Sequence, residues 1–210
     1  MTDVAAGLAV SRWRPSPARL VRLLVGLWLF GTGEGLIVHG ELGVSPWTVL
    51  AQGVGKQTAL SVGVATIVVS AGVLCLWLLL RQWPGLGTVL NAVLIGVAID
   101  ATLALTGEHP GLIERWAALL GGIALVAIGS GLYLGAALGP GPRDGLMTGI
   151  HRVSGMPVAV VRTAIEVTAL TVGALLGGTL GIGTLIFAVT IGPAVQRAVR
   201  LMSPIAATDM

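Results

Sequence analysis

The chain has 210 residues, of which 55% are hydrophobic and only 10% charged, with 32 glycines and a formal net charge of +3. A soluble domain averages about 25% charged residues, so this balance excludes a water-soluble protein and defines an integral membrane protein with the lipid bilayer as its surroundings. The basic excess does not imply a nucleic-acid partner, because nearly all Arg and Lys residues lie at the ends of apolar runs, where membrane topology uses them.

Residues 1–18 form a predicted cytoplasmic N-terminal segment. Apolar runs then fall at about 20–39, 59–80 and 86–106, and again at about 116–138, 157–176 and 180–201. Each is close to the roughly 20 residues that cross a hydrocarbon core. The first run is read as a retained span and not a signal peptide. It exceeds the usual h-region, ends without a small-residue cleavage site and carries Glu34. Residues 107–115 are a predicted external loop and 202–210 a predicted cytoplasmic tail. The lone Cys75 lies inside an apolar run and is expected to pack as a small apolar residue.

Two shorter segments, 43–60 and 139–156, each begin with glycine and proline and continue with helical spacing. Ser45 before Pro46 reads as an N-cap followed by proline at the first helical position. Asp144 in the first turn of the second segment suits the helix macrodipole. These helices are too short to span. They are expected either to lie at the interface, anchored by Lys56 and Arg152, or to re-enter partway.

With the N-terminus inside, Arg12, Arg14, Arg19, Arg22, Arg81, Arg143, Arg152, Arg197 and Arg200 fall on the cytoplasmic side, against Lys56 and Arg115 outside. The positive-inside rule therefore puts both termini in the cytoplasm of a bacterial inner membrane.

The two halves of the chain align without a gap at an offset of 96 residues, the distance from Leu42 to Leu138. Gly43, Pro46, Leu50 and Gly53 fall on Gly139, Pro142, Leu146 and Gly149. Gly85, Gly87, Thr88, Ala92, Ile95 and Gly96 fall on Gly181, Gly183, Thr184, Ala188, Ile191 and Gly192. About a third of positions from 33 to 98 match, which marks a duplicated unit. The predicted repeats, 19–106 and 116–201, hold three spans each. An odd number forces the second to enter from the opposite face. The expected fold is all-α, six spans in two inverted 3+3 repeats, each with a short helix after its first span. Such repeats are common in secondary transporters.

Ionisable residues within spans are costly, at about 2.5–3.5 kcal/mol each on insertion scales, and are functional candidates. Glu34 lies in the first span among Gly31, Gly33 and Gly35, and is a candidate proton carrier or binder of a cationic solute. Asp100 lies in the third span. Arg162 and Glu166 lie in the fifth at i,i+4 spacing and are expected to pair, either structurally or functionally. Arg143 and Asp144 are expected at the cytoplasmic mouth. The counterparts of Glu34 and Asp100 are Ser130 and Gln196. Polarity is retained there while charge is lost, as in a central cavity made asymmetric for a ligand. If Glu34 and Ser130 meet near the pseudo-axis, they line one cavity from opposite sides.

The GLGT and GIGT segments (85–88 and 181–184) are read as packing devices, because no phosphate-loop lysine accompanies them. His39, His109 and His151 lie at different span ends, so no metal site, cofactor or catalytic set is expected, and an enzyme is not.

The segments LGVSPWTVL, GLGT, GPGPRDGLMTGI, VRTAIE and GGTLGIGT together resemble the YczE/YitT-like family of bacterial integral membrane proteins, closest to its YczE branch. Gly141 to Met147 carry one element, and Arg162 with Glu166 carries another. The resemblance covers most of 20–200 and implies about six spans, without identifying a solute. The function expected is a small secondary transporter or exporter of a small polar solute, possible as a homodimer. The alternatives are a passive channel and a scaffold that assists another protein or pathway.

Overall fold

The computed structural model describes residues 12–107 and 110–202. Parts of the predicted terminal segments and external loop, and His109, lie outside the described residues. Among those described the structure is all-helical: α1 Pro17–His39, α2 Pro46–Thr58, α3 Val62–Leu79, α4 Leu86–Leu105, α5 Leu112–Gly135, α6 Pro142–Ser154, α7 Val158–Leu175 and α8 Ile182–Met202. All but α2 and α6 are long and apolar enough to cross a membrane, giving the six spans the sequence predicts. The predicted boundaries move by a few residues. The largest shift is in α5, which starts at Leu112 and takes Glu114 and Arg115 into its first turns. Arg115 therefore leaves the predicted loop, and its guanidinium reaches the Glu41 carboxylate at 2.7 Å.

The 96-residue offset recurs in the backbone. Glu41 and Ala137, the non-glycine residues of positive φ before each short helix, have φ values of 53° and 52°. Gly43 and Gly139 follow at 107° and 120°, a region that a side chain rarely tolerates. Each proline that opens a short helix occupies a position where no backbone donor is needed.

The core is the pairing of α1 with α5. A Cβ on Gly33 would stand 2.6 Å from the Gly122 carbonyl oxygen, and one on Gly122 would stand 2.6 Å from that of Gly33. Gly26 and Gly129 are equally close, at 2.9 and 2.5 Å to each other's carbonyl oxygens. As residue numbers rise on α1 they fall on α5, so the two helices cross antiparallel. Their backbones approach as closely as small residues allow. Leu23, Leu27, Ile37, Leu119 and Val126 fill the remaining space.

Other contacts between the halves are also reciprocal. The Gly87 N–H donates to the Leu138 carbonyl at 2.9 Å, and its counterpart Gly183 N–H donates to Leu42 at 2.7 Å. Lys56 Nζ donates to the Gly177 carbonyl at 2.6 Å, and its counterpart Arg152 donates to Leu80 at 2.6 Å. These cations satisfy the open carbonyl ends of α7 and α3. In each case a residue of one half meets the other half at, or one residue from, the place where its counterpart meets the first, which is the pattern of an isologous contact. The GLGT and GIGT glycines thus serve as packing devices, and Thr88 adds a bond from its hydroxyl to the Pro140 carbonyl at 2.8 Å. Cys75 faces outward on α3 and not into the core.

Gly122 and Gly121 are adjacent, but a Cβ on Gly121 meets nothing within 4 Å. Gly122→Val should lower stability by about 1–3 kcal/mol through overpacking, while Gly121→Ala should be close to neutral. Unfolding in detergent micelles compares the two; equal midpoints would remove the α1–α5 contact from its central role.

Candidate functional site

The short helices place one residue pair at the centre. Trp47 and Arg143 are repeat counterparts, each the second residue of its short helix, and each lines two separate cavities. Tyr133 and Asp144 also line both. These side chains form a wall.

On one side lies a cavity of about 70 Å³ between α1, α3, α4 and the N-termini of α2 and α6. Its walls are mostly apolar, with Phe30, Val69, Val73, Ile95 and Ile99, and its polar groups include Glu34, Thr66, Ser70 and Asn91. Glu34 is 3% exposed. Its Oε2 accepts hydrogen bonds from Ser45 Oγ at 3.0 Å and Thr48 Oγ1 at 2.7 Å. Ser45 is also the N-cap of α2, accepting from the Thr48 N–H. The carboxylate in α1 therefore fastens the start of α2. Glu34 lies five residues before the end of α1, about 7 Å along its axis, so the chain turns back into the bundle before α2 begins.

On the other side lies a cavity of about 160 Å³ between α5, α7 and α8, lined by Ser130, Met147, Arg162, Ile165, Glu166, Ile191 and Gln196. Arg162 Nε donates to Glu166 Oε1 at 3.2 Å, the i,i+4 pair read from the sequence. Ser130 Oγ bonds its own helix at the Val126 carbonyl, 2.7 Å away.

Arg143 and Asp144 make a 3.9 Å contact at the start of α6. Both side chains are partly buried, at 30% and 31% exposure, and pair as the sequence predicts. The Arg143 guanidinium sits 5.6 Å from the ring centre of Phe30, near the middle of α1, within range of a cation–π attraction. Asp144 Oδ2 accepts from the Tyr133 hydroxyl at 2.8 Å, and the Tyr133 ring meets Phe30 edge-on at 6.3 Å. The first cavity thus faces two carboxylates and one guanidinium, and the second faces two of each.

Two sequence readings change. Glu34 and Ser130 do not meet. The α1–α5 register sets them roughly nine residues apart, about 13 Å along the pair, and each lines its own cavity. Asp100 is outside both cavities. It clasps α3 to α4, accepting from Ser61 Oγ at 2.5 Å and the Gly63 N–H at 2.8 Å. Its counterpart Gln196 does line the second cavity. Trp47, Tyr133 and Phe30 were not singled out from the sequence. The one available signal was the alignment of Trp47 with Arg143, two large and dissimilar residues at one repeat position.

The cavities and their dividing wall lie within an all-helical, multi-pass membrane protein. The profile of a family described as a family of unknown function, DUF6198, matches residues 17–200, and the chain belongs to that family. It is similar to an uncharacterized protein of Haemophilus influenzae, 40% identical over 188 residues covering 90% of this chain and 86% of that one. The uncharacterized membrane protein YczE of Bacillus subtilis is 36% identical over 80% of this chain and 79% of its own length. The uncharacterized protein YyaS of the same organism is 27% identical over 77% and 83%. No solved structure matches.

The separation of roles is open to test. Asp100→Ala should cost about 1 kcal/mol of stability as a lost cap, and Gln196→Ala, facing a cavity, should cost less than half of that. Thermal unfolding of the two variants in the same detergent measures the difference.

Proposed function

We propose that this protein is a small secondary transporter, and not an enzyme, that moves a small polar solute between the two cavities past the Trp47–Arg143 wall. One observation carries the reading: two of the four residues that line both cavities, Trp47 and Arg143, are repeat counterparts at the starts of the two short helices. A two-fold related pair of gates lets one fold adopt two access states of similar energy. The repeats are read as inverted, about an axis in the membrane plane, because three spans separate equivalent points and α1 crosses α5 antiparallel. The starts of α2 and α6 then dip from opposite faces toward mid-membrane, their positive ends directed at the wall. The termini are cytoplasmic by the distribution of arginine.

Glu34 is the coupling residue in this reading. As a carboxylate it accepts both the Ser45 and Thr48 hydroxyls on Oε2, which holds α2, and Trp47 with it, against α1. Taking up a proton, or a cationic solute, changes what that carboxylate accepts and frees the start of α2. Protonation and movement of the gate are thereby linked through one side chain.

Flux into proteoliposomes, over a panel of small polar solutes and across an imposed pH gradient, tests this. Glu34→Gln keeps size and much of the hydrogen bonding, and should leave a folded protein whose flux no longer follows the gradient. An unchanged pH profile would remove Glu34 from coupling. Arg143→Ala combined with Asp144→Ala should insert normally yet lose about tenfold or more in flux, since desolvated polar groups at a pathway are costly to unpair. Wild-type flux in that double variant would reduce both residues to topology determinants.

A further inference from the structure

The two repeats differ where their third and fourth helices meet. In the first, α3 packs on α4. Gly63 and Gly96 touch so closely that a Cβ on Gly63 would stand 2.1 Å from the Gly96 carbonyl oxygen. The Asp100 clasp to Ser61 and Gly63 holds the pair. In the second repeat α7 packs on α2 and α6, and α8 on α5, while α7 and α8 make at most a grazing contact. The sequence of the two repeats differs at this contact. The counterparts of Gly63, Ser61 and Asp100 are Ala159, Pro157 and Gln196. Ala159 carries the methyl that the closed arrangement cannot hold, Pro157 has no hydroxyl, and Gln196 is not a carboxylate. Pro193 also interrupts the hydrogen bonding of α8 beside the gap.

The result is a slot open to the bilayer. Gly96 is buried, but nothing lies within 4 Å of a Cβ on Gly192. Gly63 and Ala92 are buried, but Ala159 and Ala188 are exposed. The slot leads into the larger cavity, where the side chains of Arg162 and Glu166 are 50% and 33% exposed. Glu166 lies eight residues into α7, about 12 Å from its end, at a depth where lipid tails and not water surround the protein. An exposed ion pair there is costly unless a polar partner covers it. Ile165, Ile191, Val195 and Leu134 flank it with apolar surface.

We propose that the α7–α8 slot binds a membrane lipid with a zwitterionic head, the head in the cavity and the acyl chains between the helices. Arg162 is placed for the phosphate, for which a guanidinium is well shaped. Glu166 and Gln196 are placed for the ammonium. A second copy presenting its α3–α4 face fits less well: the outward residues there, such as Val64, Val68, Val93 and Val97, offer the ion pair no polar partner. The inference goes beyond the transport reading and depends only on membrane placement; lipid capture is read by labelling and solute passage by flux, so a failure of either is distinguishable.

Photo-crosslinking tests it. Full-length protein carrying Cys75→Ser is reconstituted with trace diazirine-tailed phosphatidylethanolamine, phosphatidylglycerol or diacylglycerol, and labelled peptides are mapped. The first probe should label α7 and α8 around the slot about tenfold more than the other two, the ratio of one good charged contact. Gly192→Trp, or Thr163→Phe on α7 (the counterpart of Ile67, which meets Gly96 across the closed α3–α4 pair), should abolish that labelling while leaving the outward face of α3 labelled as before. Equal labelling by all three probes would overturn the proposal. So would labelling unchanged by both filling variants. So too would efficient disulfide dimerisation of Gly192→Cys in the Cys75→Ser background, because a second copy would then occupy the slot.

Discussion

The bundle depends on the approach of two backbones at Gly26, Gly33, Gly122 and Gly129. Lipid supplies no hydrophobic drive for helices to associate, so close packing and satisfied polar groups must hold them together. Four glycines at matching positions let α1 and α5 touch along their middle and fix the register between the halves. Once that register is set, Leu42 meets Gly183 and Leu138 meets Gly87. Those bonds hold the irregular segments before each short helix, where buried backbone groups need partners. The N-termini of α2 and α6 are delivered to the centre as a consequence.

Polar residues take different roles around this frame. Asp100, Ser61 and Gly63 satisfy one another and close the first repeat. Glu34, Ser45 and Thr48 form a second network that ties a short helix to the central one, and it faces a cavity. Arg162 and Glu166 form a third, exposed where the second repeat fails to close. Chemically similar carboxylates are thus a helix clasp, a cavity fastening and half of an ion pair. Burial and the neighbouring hydroxyl or guanidinium decide which.

Duplication gives the protein near-equal halves, and divergence makes them unequal. Trp47 against Arg143 puts an aromatic ring and a cation at equivalent points of the wall. Gly63 against Ala159 is one methyl group, and with Ser61 against Pro157 and Asp100 against Gln196 it distinguishes a sealed helix pair from an open one. Small changes have large effects here because backbones already in contact leave no room for a side chain to adjust.

The sequence alone determined the membrane class, the six spans, the offset of the repeat and the Arg162–Glu166 pair. Each rests on composition or on spacing along one helix, and these are local properties. It also marked Pro46 and Pro142 as helix starts, because proline restricts its own backbone. The partners of the single charges were decided by tertiary structure. Nothing in the spacing between 34 and 48, or between 61 and 100, shows which hydroxyl meets which carboxylate. The separation of Glu34 from Ser130 follows from the antiparallel register of α1 and α5, which sets equivalent residues on either side of the crossing at different depths. Trp47, Tyr133 and Phe30 read as ordinary apolar residues until the fold brings them to the wall between two cavities. The open slot likewise needed three dimensions, because an alanine in place of a glycine has meaning only when a facing carbonyl lies where its methyl would be.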